Sequence, residues 1–282
     1  MNAIPYTTYN EDKPTPLVFT HANGYPPACY EPLFEQLADY KVLAMQQRPL
    51  WEGSQPAELK DWRPLSDDLI RFLDEQKLEK AAAIGHSVGG IAVLRAALNH
   101  PERFERVILL DPVLFPPSFV RFYRLIHALG LGHKMHPLVP AAQRRRRTFK
   151  NRESIFRSYR QKKVFRHLDD NALEAYISGI TCPVGDGSFQ LCYSAEWEVQ
   201  IYVSGVWRDM EIWRALSQLT PPLLIVRGEA TDTFYEKTGD LVLKKLPNAT
   251  VHTIPNSTHL VPLEKPVEVA NEIKRFITNG HE

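Results

Sequence analysis

Cysteine is scarce in this chain, with Cys29, Cys182 and Cys192 the only three among 282 residues. Thiols so few and odd in number exclude a disulfide-built scaffold. They set the expectation of reduced cysteines in a cytoplasmic protein, with a single Cys182–Cys192 bridge as the alternative. Net charge is also nearly absent, at +1, so no global field points to a nucleic-acid partner. No uninterrupted apolar run is long enough to cross a membrane, and Met1 to Pro16 holds no apolar core of a secretory leader. Metal-ligand clusters, a G-x-G-x-x-G element after a strand, internal repeats and low-complexity linkers are all missing, so neither a metal nor another cofactor is implied. What is present is the composition of an ordinary folded enzyme, 44% hydrophobic and 24% charged.

Apolar runs alternate with helical spacing at both ends of the chain. Leu17-Val18-Phe19-Thr20, Lys41-Val42-Leu43-Ala44, Ala81-Ala82-Ala83-Ile84 and Val107-Ile108-Leu109-Leu110 read as strands, as do Leu223 to Val226 and Thr250 to Ile254. Between them, Leu33 and Leu37, then Leu69 to Leu78, then Ile91 to Leu98 recur at helical spacing. Ser66-Asp67-Asp68 offers an N-cap region for the second of these helices, and a last helix spans roughly Pro266 to Ile277. Regular alternation predicts an α/β fold, a mainly parallel twisted sheet with helices on both faces.

From about Phe115 to Trp213 the alternation stops. This stretch reads as helical, and between Lys134 and Arg166 it holds twelve lysines and arginines against one acid, Glu153. Aromatic residues Phe149, Phe156, Tyr159 and Phe165 are interspersed and need something to pack on. The expected organisation is a core of residues 1–114 and 214–282 with an inserted helical cap over 115–213. The basic run reads either as solvated helix faces or as a local positive surface for an anionic partner, such as an acidic substrate or a phospholipid headgroup.

Gly85-His86-Ser87-Val88-Gly89 lies where the third strand turns into a helix. Glycines on either side of Ser87 remove side chains that would collide around a sharp turn, and the new helix aims backbone N–H groups at the serine hydroxyl. A serine needs a base, itself oriented by a third group. His259, in the loop between the last strand and the last helix, is the expected base. Asp232, in the loop after Val226, is the favoured acid; Asp111, ending the strand before the insertion, is the alternative, and Glu229 a weaker third. The turn His21-Ala22-Asn23-Gly24-Tyr25-Pro26 is the expected oxyanion element, with the N–H of Tyr25 and that of Val88 as donors and Gly24 as an alternative.

On these residues the chain resembles the α/β-hydrolase superfamily in its capped, serine esterase-like branch, from Leu17 to the final helix with the insertion left aside. Gly85 to Gly90 matches the elbow, Asp232 the usual acid position, and His259 the usual base. Aligning Gly24-Tyr25-Pro26 with the commoner His-Gly-x-Pro puts Asn23 at the histidine position. Gln46-Gln47-Arg48-Pro49 stands where relatives often carry Asp-x-Arg-Gly, and the N-terminus is too short for a full leading hairpin. The resemblance implies acyl chemistry through Ser87, since relatives that open epoxides or displace halides use an aspartate there. The expected activity is cleavage of a small carboxylic ester with an apolar acyl or alcohol part. Rivals are thioester or carbon–carbon bond hydrolysis, acyl transfer, and a receptor that binds with little turnover.

Overall fold

The structure, a computed structural model, describes residues 3–185 and 187–278. The chain opens with strands β1 (Tyr6–Tyr9) and β2 (Pro16–Thr20), helix α1 (Glu31–Gln36) and strand β3 (Lys41–Met45). Helix α2 (Arg63–Glu75), strand β4 (Ala81–His86), helix α3 (Val88–Asn99) and strand β5 (Phe104–Leu110) follow. An insertion then runs through α4 (Pro117–Ala128), α5 (Gly132–Met135), α6 (Val139–Gln143), β6 (Thr148–Phe149), α7 (Arg152–Arg160) and α8 (Asp170–Ile180). It continues through β7 (Thr181–Pro183), β8 (Phe189–Leu191), α9 (Ala195–Ser204) and α10 (Met210–Ala215). The chain returns to the core as β9 (Leu223–Gly228), α11 (Glu236–Lys245), β10 (Thr250–Ile254), α12 (Val261–Glu264) and α13 (Pro266–Thr278).

The central sheet has the order β1-β3-β2-β4-β5-β9-β10, and every pairing is parallel except that of β1 with β3. Side chains alternate between its two faces, as the period of a strand requires. Val18, Leu43, Ala83, Val107, Leu109 and Ile225 face the layer holding α2 and α3. Leu17, Phe19, Val42, Ile84, Ile108 and Val226 face the layer holding α1 and α13. The chain moves outward from β2 to β3 and then crosses to β4 on the other side of β2. That reversal opens a crevice at the carboxyl ends of β2 and β4, where ligands of such sheets bind.

The α/β expectation holds, and the differences from the sequence reading have local causes. In place of a leading hairpin, β1 alone pairs antiparallel with β3. Helix α2 starts three residues before the expected cap, because Pro64 presets its first turn. Ser66 and Asp68 are thereby drawn inside, and Asp68 meets Arg48 in an ion pair of 2.5 Å. The insertion is not wholly helical: β6, β8 and β7 form a small antiparallel sheet. Its strands are too short for alternation to show in the sequence. This sheet corrects the expectation of three reduced thiols, for it brings the Cα atoms of Cys182 and Cys192 to 5.5 Å and a disulfide joins them. Only Cys29 is free, and it is buried.

Candidate active site

The carboxyl ends of β2, β4, β5, β9 and β10 each deliver a loop to one edge of the sheet. The turn after β4 is the tightest. Ser87 sits at φ 57° and ψ −121°, a conformation that L-residues avoid. Two close approaches make it feasible: a Cβ on Gly85 would lie 2.4 Å from the Gly89 carbonyl oxygen, and one on Gly89 would lie 2.4 Å from that of Thr20. Any larger residue would push the elbow off the end of β2. The Ser87 N–H is held by the Leu110 carbonyl at 3.1 Å, which ties the turn to β5.

Ser87 Oγ lies 3.0 Å from His259 Nε2, and His259 Nδ1 lies 2.9 Å from Asp111 Oδ1. Asp111, not Asp232, is the carboxylate that faces the imidazole. Its φ of 40° turns the end of β5 sharply, and its carboxylate swings across the tip of β9. There it accepts hydrogen bonds from the Gly228 N–H at 2.8 Å, the Thr231 hydroxyl at 2.5 Å and the Thr233 hydroxyl at 2.6 Å. Complete burial works against its charge, but hydrogen bonds from His259, Thr231 and Thr233 outweigh it and hold its carboxyl below the usual range. Asp232 lies between those two threonines with its side chain exposed, and it makes no hydrogen bond or ion pair among the described residues. Glu229 is also exposed and accepts the Asn256 N–H at 3.0 Å. Thr233 Oγ1 is also 2.8 Å from His259 Nδ1. Sequence reasoning did not single out the two threonines; their signal was a Thr-x-Thr spacing after a strand.

The His259 loop is fixed from two sides. The Glu264 carboxylate accepts the Thr258 N–H at 2.6 Å and its hydroxyl at 2.7 Å. His86 lies 2.9 Å from the His259 carbonyl through Nε2 and 2.7 Å from the Tyr30 hydroxyl through Nδ1. A carbonyl only accepts, so Nε2 carries the proton and Tyr30 donates to Nδ1. Tyr30 in turn accepts the Ala22 N–H at 3.0 Å. One relay therefore connects the His21–Pro26 turn, the elbow and the His259 loop.

His21 is neutral by the same logic. Its Nδ1–H donates to the Ala22 carbonyl at 2.8 Å and its Nε2 accepts the Gln47 N–H at 3.1 Å. Gln47, at the departure from Asp-x-Arg-Gly, also donates its side-chain amide to the His21 carbonyl. Burial pushes His21 down to about 4 and His86 down to about 3. In the unfolded chain both would titrate near 6.5. Below that pH the unfolded state gains protons the folded state refuses, so stability is full above about 6.5 and falls as pH drops toward those lower values. Each histidine is expected to contribute a slope of about 1.4 kcal/mol per pH unit within that window. Urea unfolding at pH 7.5, 6 and 5 checks this, and a flat profile would contradict it.

The expected oxyanion donors divide. Val88 is the first residue of α3, so its N–H has no acceptor within the helix and opens toward Ser87. The Tyr25 N–H, by contrast, closes the turn on the Ala22 carbonyl at 3.2 Å and is not available as a donor. The N–H of Gly24, at φ +77°, makes no hydrogen bond among the described residues. The Asn23 N–H has no acceptor among the described residues. Asn23 was visible in the sequence only as the residue at the histidine position of the motif.

The insertion lies against this turn. Asn23 donates through its side-chain amide to the Glu198 carbonyl at 3.0 Å, and the rings of Tyr25 and Tyr176 are 5.1 Å apart. Glu198 is buried and paired with Arg145 at 2.9 Å. Arg144 closes the turn after α6, and beyond it Arg145 points inward while exposed Arg146 reaches back over the Phe149 ring, 4.9 Å from its centroid. The basic run is therefore not one surface.

A mainly parallel sheet that presents a strained serine, a histidine and an aspartate in hydrogen-bonding sequence at its carboxyl edge defines the α/β-hydrolase class. The chain belongs to the alpha/beta hydrolase family, whose profile matches residues 17–272. It is 23% identical over 289 residues to the Escherichia coli protein named esterase YbfF, covering 99% of both chains. The solved structure of E-2-(acetamidomethylene)succinate hydrolase superposes with a TM-score of 0.75 at 19% identity, over 97% of this chain and 99% of that one. A thioesterase domain from the curacin biosynthetic pathway superposes at 0.74 with 14% identity, over 97% and 100%.

Proposed function

We propose that this hydrolase cleaves carboxylic esters through an acyl-enzyme on Ser87. The observation that carries the reading is the run of contacts Ser87 Oγ–His259 Nε2–Asp111 Oδ1, at 3.0 and 2.9 Å. His259 Nε2, the acceptor, takes the serine proton as Oγ attacks the ester carbonyl carbon. Asp111 holds the Nδ1–H and stabilises the imidazolium that forms. The oxygen of the tetrahedral intermediate lies against the N–H of Val88 and an N–H of the His21–Pro26 turn, where those of Asn23 and Gly24 both lack acceptors among the described residues. His259 returns the proton to the leaving alcohol, and water repeats the sequence to release the acid. Residues 115–213 act as a cap, with the Arg145–Glu198 pair and Tyr25–Tyr176 contact seating it on the oxyanion turn. Full-length likeness to a protein named an esterase supports the ester as substrate class.

A panel of p-nitrophenyl esters of graded acyl length tests the reading. Steady turnover with a chain-length optimum is the expected result. A stoichiometric burst without turnover would mark a receptor-like protein instead. No release from any ester would shift the chemistry to carbon–carbon cleavage or acyl transfer.

A further inference from the structure

From Pro112 to Arg152 the sequence holds no aspartate or glutamate, yet nine lysines and arginines. The same stretch exposes large apolar side chains. Phe119, Phe122 and Leu125 on α4 and Leu129 at its end lie three or four residues apart, so they form one stripe. Phe122, Leu125 and Leu129 are 56%, 59% and 63% exposed, and Met135 and Leu138 beyond them are also exposed. The stripe adjoins the face of α4 that Val120, Tyr123 and Ile126 bury against the protein. Helix α4 is thus apolar well beyond the face it uses for packing. Arg121 and Arg124 stand exposed beyond the stripe's outer edge. Monomeric proteins seldom leave so continuous an apolar strip in water without a use for it.

We propose that α4 and the turn after it form a docking surface for an anionic lipid bilayer. Phenylalanine and leucine side chains enter the boundary of the acyl region, and the flanking arginines and lysines meet phosphate headgroups. Charge decides between this occupant and a second copy of the chain. Two copies joined through this face would set exposed Arg121, Arg124 and Lys134 of one against those of the other, whereas anionic headgroups complement them. The surface also sits beside the catalytic edge. Phe119 contacts Phe115 with ring centroids 4.4 Å apart, and Phe115 lies 6.2 Å from Tyr235. Tyr235 is two residues beyond Thr233, which touches both His259 and Asp111. A docked molecule would therefore bring its active edge to apolar esters held in the membrane. The docking itself does not depend on the chemistry at Ser87.

Cosedimentation with phosphatidylcholine vesicles, with and without phosphatidylglycerol, tests the proposal. Binding is expected to be at least about tenfold stronger with phosphatidylglycerol and to weaken as salt rises. The triple substitution Phe122→Ser, Leu125→Ser, Leu129→Ser should lower vesicle binding by about tenfold or more while the melting temperature does not fall. The double substitution Arg121→Glu, Arg124→Glu should remove the preference for phosphatidylglycerol. Failure of the wild-type chain to bind the anionic vesicles, or equal binding by the triple variant, would overturn the proposal. So would a dimer in sedimentation velocity that the triple substitution dissociates, which would assign the face to a second copy.

Discussion

Ser87→Ala is expected to lower kcat by roughly a million-fold, as loss of a nucleophile does where nucleophile and base act as a unit. The fold should survive, because among the described residues the serine hydroxyl bonds only to His259 and the elbow is held through its backbone. Alanine carries the same Cβ into the same strained conformation, so the cost of φ 57° is unchanged. Ser87→Gly separates the two roles of the residue. Without a Cβ the turn relaxes, and glycine should recover on the order of 1–3 kcal/mol of stability relative to alanine while remaining equally inactive. Ester turnover by the purified variants and urea unfolding of both provide the measurements. Activity in Ser87→Ala within tenfold of wild type would remove the acyl-enzyme from the account. Equal stability of the alanine and glycine variants would show that the elbow stores no strain.

Local patterns made the frame legible. Buried runs such as Ala81 to Ile84 and Val107 to Leu110 have few alternatives to a central parallel strand, and the glycines around Ser87 signal the close approaches that the elbow requires. His259 was legible because the loop after the last strand opens at the same edge. What escaped depends on how separate segments meet. Whether a backbone N–H is free is a property of a turn's closure, so nothing in Gly24-Tyr25-Pro26 reveals that Tyr25 spends its donor on Ala22. The insertion was read only as basic and helical, because charge counting cannot tell that Arg145 turns inward to Glu198. Its short strands, and the disulfide that they allow, are likewise set by pairing partners rather than by periodicity.

The choice of acid is the clearest such case, and it leads to the second large effect. Asp111→Asn is expected to lower kcat by about ten-thousand-fold, because an amide can neither stabilise the imidazolium nor enforce the tautomer that leaves Nε2 free to accept from Ser87. Asp232→Asn should change kcat by no more than about twofold, since an exposed side chain without partners has little to lose. Sequence reasoning favoured Asp232 because its loop is long enough to reach His259. The loop does reach, but it is Thr233 rather than Asp232 that meets His259. Thr231 and Thr233 turn inward and donate to Asp111, which leaves the residue between them facing solvent. Asp111 thus combines a carboxylate from the end of β5 with a hydrogen-bonding cradle from the end of β9. Thr233→Val tests the cradle: loss of one donor should reduce kcat by about tenfold, far less than loss of the charge. Inactivity of Asp232→Asn beside an active Asp111→Asn, with both variants folded, would reverse the assignment and require the β9 loop to turn over during catalysis.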